Sequence, residues 1–175
     1  MLIDSLQFSR DRQSACGTLP VARFERLHDS LFDAALGGDG SGDIRYEVSG
    51  VRYEVNGGAD ARDRPVLRVR VWGQFALQCQ RCLKALDHEL MIDTTLRLVP
   101  EESLDAEMSD DPDEADCIAA STELDLLVLI EDEILLALPV YPRHEDGSCG
   151  TSTGAAGAKK DSAFSVLSKL GTLKQ

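Results

Sequence analysis

Positive charge is what this sequence has least of: 18 Lys and Arg stand against 31 Asp and Glu, a formal net charge of −13 over 175 residues. Such a balance excludes a protein whose whole surface wraps nucleic acid or anionic lipid, because neutralising phosphate takes cations. Long hydrophobic runs are missing too. The stretches 126–130 and 134–138 are interrupted by Glu131, Asp132 and Glu133, so nothing approaches the roughly 20 apolar residues that cross a bilayer. Residues 1–12 lack both a basic start and a long apolar segment and are not expected to be a signal peptide, which makes the expected location cytoplasmic. The 14 glycines show no triplet period, so collagen-like chains are excluded. No G-x-S-x-G, Walker loop, G-x-G-x-x-G or H-E-x-x-H occurs, and the three histidines, His28, His88 and His144, are scattered. No catalytic set, no small-molecule substrate and no membrane are expected.

What is present suffices for one domain: 43% hydrophobic residues at this length can bury a core without help from a metal or a disulfide. Residues 20–36 carry Val21, Phe24, Leu27, Leu31 and Ala35 near helical spacing, with Pro20 in the first turn and Gly37-Gly38 as the stop. Residues 43–55 alternate in the period of a half-buried strand or pair of strands. From 65 to 79, Leu67, Val69, Val71, Gly73, Phe75, Leu77 and Cys79 share one face, while Arg68, Arg70, Trp72, Gln74, Ala76 and Gln78 share the other. A further alternating run, 88–99, follows at hairpin distance, and the short connections predict an antiparallel sheet or partly closed barrel. Residues 100–116 are acidic, poor in large apolar groups and read as a disordered loop. They belong to a 45-residue stretch between Arg97 and Arg143 that has 14 Asp or Glu and no Lys or Arg. Thr122-Glu123-Leu124-Asp125 then resembles a capping box opening a helix over 124–138 that stops before Pro139. That helix is apolar around most of its circumference except at Asp125 and Glu131 to Glu133, three acids that splay over the surface and read as a solvated face. The fold class is therefore α+β, a sheet flanked by two main helices. The domain spans 1–146, followed by a flexible linker over 147–163 and a short basic tail over 164–175 whose Phe164, Leu167 and Leu170 form an apolar docking-type patch.

Three groups of residues could carry function. Cys79-Gln80-Arg81-Cys82 is a C-x2-C pair, and His144 with Cys149 forms an H-x4-C pair; together they offer a Cys3His set for a structural zinc ion. The pairs are 61 residues apart, so only a fold that returns 142–149 to the Cys79 turn could assemble them. The same cysteines could instead be reduced and packed as small hydrophobes, or act as a thiol redox pair with Arg81 and Lys84 favouring the thiolate. Cys16 and Cys117 make the total an odd five, which suits a reducing compartment better than a disulfide scaffold. The second group is a basic strand face: Arg68, Arg70 and Trp72, with Arg81 and Lys84 beyond them, could stack bases and meet RNA phosphates, or could pair with acids of the same chain. The third is the apolar patch of the tail.

The order of these motifs carries a resemblance. Leu77-Gln-Cys79-Gln-Arg81-Cys82-Leu83, then 124–144 with its Glu-Asp-Glu helix ending Leu-Pro-x-x-Pro-x-His, then Cys149 and the terminal Phe164 to Leu170 run together resemble the YceD family, the large ribosomal RNA subunit accumulation proteins of bacteria and plastids. The likeness spans most of the chain, from the Pro20 segment to the tail. It implies a cytosolic, non-catalytic ribosome-biogenesis factor supporting synthesis, processing or stability of large-subunit (23S) ribosomal RNA. The expected partner is large-subunit precursor RNA or the assembling subunit, met directly or through a protein. No cofactor comes with the resemblance. The competing expectations are a protein-binding adaptor that docks on a ribosomal protein or assembly factor without touching RNA, and a thiol redox protein.

Overall fold

A computed structural model describes residues 1–27, 31–32, 50–107, 115–145 and 147–149. The chain divides into two units, Met1–His144 and Glu145–Gln175. In the second, the described residues form a turn in which the Ser148 amide donates to the Glu145 carbonyl at 3.0 Å. All elements below belong to the first.

The alternating runs become three long strands in consecutive hairpins: β3, Val51–Ala59; β4, Pro65–Gln78; and β5, Ala85–Val99. Val51, Val55, Leu67, Val69, Val71 and Leu77 are almost wholly removed from water on the inner face, and burying each aliphatic side chain contributes about 1.5–3 kcal/mol before entropy is counted. Two further strands, β2 (Ser14–Leu19) and β6 (Cys117–Ala119), extend the sheet to the order β2-β3-β4-β5-β6. Strand β2 pairs antiparallel with β3, running from Ser14 opposite Asn56 to Leu19 opposite Val51. Strand β6 pairs parallel with β5, with Arg97 opposite Cys117. The sheet is therefore mixed, not purely antiparallel, and among the described residues it is open, with no strand closing it into a barrel.

A parallel partner needs a long return connection, and the acidic segment supplies it. Where a loop was expected over 100–116, the described part winds into a 3-10 turn, Glu101–Ser103, and a short helix α2, Leu104–Glu107; residues 108–114 lie outside the described residues.

Ahead of the sheet, β1 (Leu2–Ile3) pairs with β7 (Leu124–Asp125), and α1 (Ser5–Arg10) is capped by Asp4, whose carboxylate accepts from the Gln7 amide at 2.9 Å. The main helix, α3, spans Leu126–Ala137. Its cap is Asp125, which accepts from the Leu127 amide at 3.0 Å, and not Thr122. Pairing with Leu2 and Ile3 holds Leu124 and Asp125 extended, so the helix cannot begin before Leu126. It ends as expected: Leu138 is extended (φ −68°, ψ 139°), the conformation a following proline imposes.

The expected helix over 20–36 does not form in its described part. A 3-10 turn, Val21–Arg23, is followed by buried Phe24 and Leu27, and farther on Leu31 bridges to Leu77 while the Phe32 amide donates to the Ala76 carbonyl. Arg26 and Leu27 are again in 3-10 conformation, and their amides donate to the Glu131 carboxylate at 2.7 and 3.3 Å and not to carbonyls of their own segment. This also corrects the reading of Glu131 to Glu133 as a solvated face, because Glu131 is only 6% exposed. Residues 28–30 and 33–49, which hold the rest of that helix and the start of the 43–55 strand, lie outside the described residues. Among the described residues no helix is long and apolar enough to cross a membrane.

Candidate metal centre and basic sheet face

Cys79 ends the inward-facing row of β4, and the chain turns back at once into β5. The Cys79 amide donates to the Lys84 carbonyl at 2.9 Å and the Leu83 amide to the Cys79 carbonyl at 2.8 Å, with Leu83 in the left-handed region at φ 59°. After α3 the chain crosses this loop, fastened where the Gln80 amide donates to the Pro142 carbonyl at 2.9 Å and Arg81 Nη2 donates to the His144 carbonyl at 3.0 Å. These bonds bring His144 back to the cysteine turn across more than 60 residues of sequence, the return that spacing alone could not establish.

The donor atoms of Cys79, Cys82 and His144 all lie within 4.8 Å of one another. Cys79 is buried; Cys82 and His144 are partly so. His144 Nε2 sits 3.0 Å from the Ala85 carbonyl oxygen. A carbonyl can only accept, so Nε2 carries the hydrogen and Nδ1 turns toward Cys82 Sγ, 3.4 Å away. Burial by itself pushes the Cys79 thiol up, but backbone hydrogen bonds from His144, Cys82 and Arg81 outweigh it and bring the thiol down from 9.0 to about 5. Cys149, the remaining expected ligand, belongs to the second unit, Glu145–Gln175. Cys16 is exposed on β2, and Cys117 receives Arg97 Nη2 at 2.9 Å, so neither joins the cluster.

The basic residues are arranged differently from the cysteines. Arg68, Arg70 and Trp72 do share the outer face of β4, where Trp72 lies in register between Arg52 and Met91. Each arginine, however, has an acid of its own chain: Arg68 Nε and Arg70 Nε reach the two oxygens of Asp93 at 2.9 and 3.2 Å, and Arg70 Nη1 stands 3.8 Å from Glu54. Asp93 is held below the usual carboxylate range, first by the Arg68 hydrogen bond. Arg81 and Lys84 are exposed in the β4–β5 loop, about 27 Å beyond Arg70 by the rise of a strand. The five basic and aromatic candidates therefore do not form one patch. Phe164, Leu167 and Leu170 lie outside the described residues.

The apolar 124–138 helix offers a docking face in the sequence, and the structure extends it past the end of α3. Leu136, Val140 and Tyr141 are 81%, 90% and 68% exposed, and Arg143 lies over the Tyr141 ring at 5.6 Å. Beside them, Leu31, Leu77, Leu135 and Leu138 line a groove of about 290 Å³. The detectable trace was the apolar Pro139-Val-Tyr-Pro142 run placed after a helix stop. The Ala85 and Pro142 carbonyls that position the cluster left no trace, since any residue type has one.

Comparison with known proteins adds a different kind of finding. Residues 67–171 match the family described as Large ribosomal RNA subunit accumulation protein YceD. A protein of that name from Haemophilus influenzae is 24% identical over 181 aligned positions, covering 97% of this chain and 94% of the relative. No solved structure gives a significant match.

Proposed function

The chain belongs to the YceD family, whose match covers more than half of its length, and on that footing we propose that it is a cytoplasmic, non-catalytic factor supporting synthesis, processing or stability of large-subunit ribosomal RNA. The family match is the observation that carries this reading; it ties the chain to a ribosome-related role. On this reading the molecule works by binding precursor RNA or the assembling large subunit, either with its own arginines or through a protein.

In the direct mode, Arg68, Arg70 and Trp72 contact RNA, with Arg81 and Lys84 as a second point of contact. The paired state of Arg68 and Arg70 makes this contact expensive, because phosphate must displace Asp93 and Glu54. Binding would be weak and strongly salt-dependent, which suits a factor that leaves the particle.

The ion pairs on the sheet face, together with exposed Leu136, Val140 and Tyr141 and the net charge of −13, favour a second mode. Here the chain is an adaptor for a basic protein surface with an apolar centre. A pull-down of the tagged chain with and without nuclease separates the two. Protein capture that survives nuclease, with equal RNA binding after neutralising Arg68, Arg70, Arg81 and Lys84, supports the adaptor. Loss of all capture on nuclease treatment, with RNA affinity falling in that variant, supports direct contact. Capture of no ribosomal component in either case contradicts the function itself.

A further inference from the structure

The cluster at the β4–β5 loop has no part in either mode of binding. We propose that Cys79, Cys82 and His144 are ligands of a tetrahedral zinc ion that fastens the chain after α3 to the β4–β5 loop. Four features of the first unit carry this, independently of the ribosomal reading.

The donors converge. Zinc held by thiolate at about 2.3 Å and imidazole at about 2.0 Å in a tetrahedron places sulfur and nitrogen about 3.5 Å apart, and Cys82 Sγ and His144 Nδ1 are 3.4 Å apart. The imidazole already has the orientation a ligand needs. Its Nε2–H is fixed on the Ala85 carbonyl, which leaves the Nδ1 lone pair aimed into the cluster, and that is the outer contact metal-bound histidines usually make. The loop is also held by backbone bonds, Cys79 to Lys84 and Gln80 to Pro142, so little ordering remains to be done when an ion enters. Finally, Cys79 is fully buried, and such a surround shields a bound ion from solvent.

The fourth ligand follows from the sequence. Cys149 lies five residues after His144, a tether of at most about 17 Å when fully extended. Thiolate and imidazole together select zinc over magnesium or calcium, which prefer oxygen. Four protein ligands would close the site to water, and a closed site is a structural one.

The test uses the full chain, purified and kept under reducing conditions. Elemental analysis is expected to find one zinc per chain. After chelation, added Co²⁺ is expected to give sulfur-to-cobalt charge-transfer absorption and the intense visible bands of a tetrahedral centre. Competition with a chromophoric chelator should show Cys82→Ser and His144→Ala weakened beyond the roughly 10–100-fold typical of outer-contact substitutions. Cys149→Ser should weaken uptake and change the cobalt spectrum, while Cys16→Ser and Cys117→Ser should leave both unchanged. If Cys82→Ser does not fold, the cobalt spectrum of the unaltered chain still decides. A reduced chain that takes up neither zinc nor cobalt overturns the proposal. So does full metal affinity in Cys82→Ser, or a Cys79–Cys82 disulfide that cycles while no metal binds.

Discussion

Glu131 is a carboxylate at 6% exposure on a helix whose other buried residues, Leu126, Leu129, Ile130 and Ile134, are all apolar, and three N–H groups explain why it stays there. The Arg26 and Leu27 amides donate at 2.7 and 3.3 Å and Arg26 Nε at 3.0 Å. Removing the acceptor strands two amides in a largely water-free place, and each orphaned donor costs about 1–3 kcal/mol. Glu131→Ala is therefore expected to lower stability by about 3 kcal/mol, read as a fall in the denaturant midpoint at unchanged slope, with Glu131→Gln falling less. A change under about 0.5 kcal/mol would show that those amides find other partners. The sequence could not reveal this residue. Three consecutive acids look like surface, and which of them turns inward depends on a segment 105 positions away. The cysteines were the reverse case: C-x2-C and H-x4-C marked the ligand types, and only the return of the chain across the loop needed the structure.

At the scale of elements, the long strands were legible because a half-buried strand has a period of two, and β4 keeps it from Leu67 to Cys79. Strand β2 was not legible, since its Ser-Ala-Cys-Gly-Thr-Leu run buries little and pairs only along the edge. The 20–36 segment has helical spacing, but its described part forms only short 3-10 stretches, at 21–23 and 26–27, separated by Phe24 in an extended conformation. Two pairs of substitutions test how the elements are joined. Where α1 packs on β3, a Cβ on Gly57 would fall 2.3 Å from the Phe8 carbonyl oxygen, whereas one on Gly58 meets nothing within 4 Å. Gly57→Ala is expected to cost about 1–3 kcal/mol through forced backbone movement, and Gly58→Ala to cost nothing measurable. Equal effects would mean that α1 does not sit on Gly57. At the start of α3, Asp125→Ala should cost about 1 kcal/mol as the loss of a helix cap, while Thr122→Ala, at an exposed residue, should cost far less. The reverse order in thermal melts would restore the capping box read from sequence.

Over the whole molecule, the acids set the response to pH. Asp60, Asp93 and Asp125 have lowered pKa values, chiefly through the Arg64 amide, the Arg68 guanidinium and the Met1 amine respectively. Such groups stabilise the fold fully above their unfolded value near 4, and that stabilisation is lost as pH falls through the lower folded values. Glu133 has the opposite sign. Burial, with Asp116 and Asp132 nearby, raises it above 4.5, so the folded state binds the proton more readily and stability rises as pH falls through that raised value. Denaturant midpoints are thus expected to rise slightly on leaving neutrality and to fall steeply below about pH 4; a monotonic decline from pH 7 would remove Glu133 from the account. Fold class and family were both readable at this scale, because periodicity and ordered motifs are spread along the chain. The mode of binding was not, since the neutralisation of Arg68 and Arg70 depends on the pairing of β4 with β3 and β5.

The most direct test of the central claim is the ratio of large- to small-subunit ribosomal RNA in cells depleted of this chain, compared with cells re-supplied with it. The mature large-subunit species is expected to fall, with its precursors or fragments accumulating, and to recover on re-supply. An unchanged ratio, with normal large subunits on a sucrose gradient, would contradict that claim.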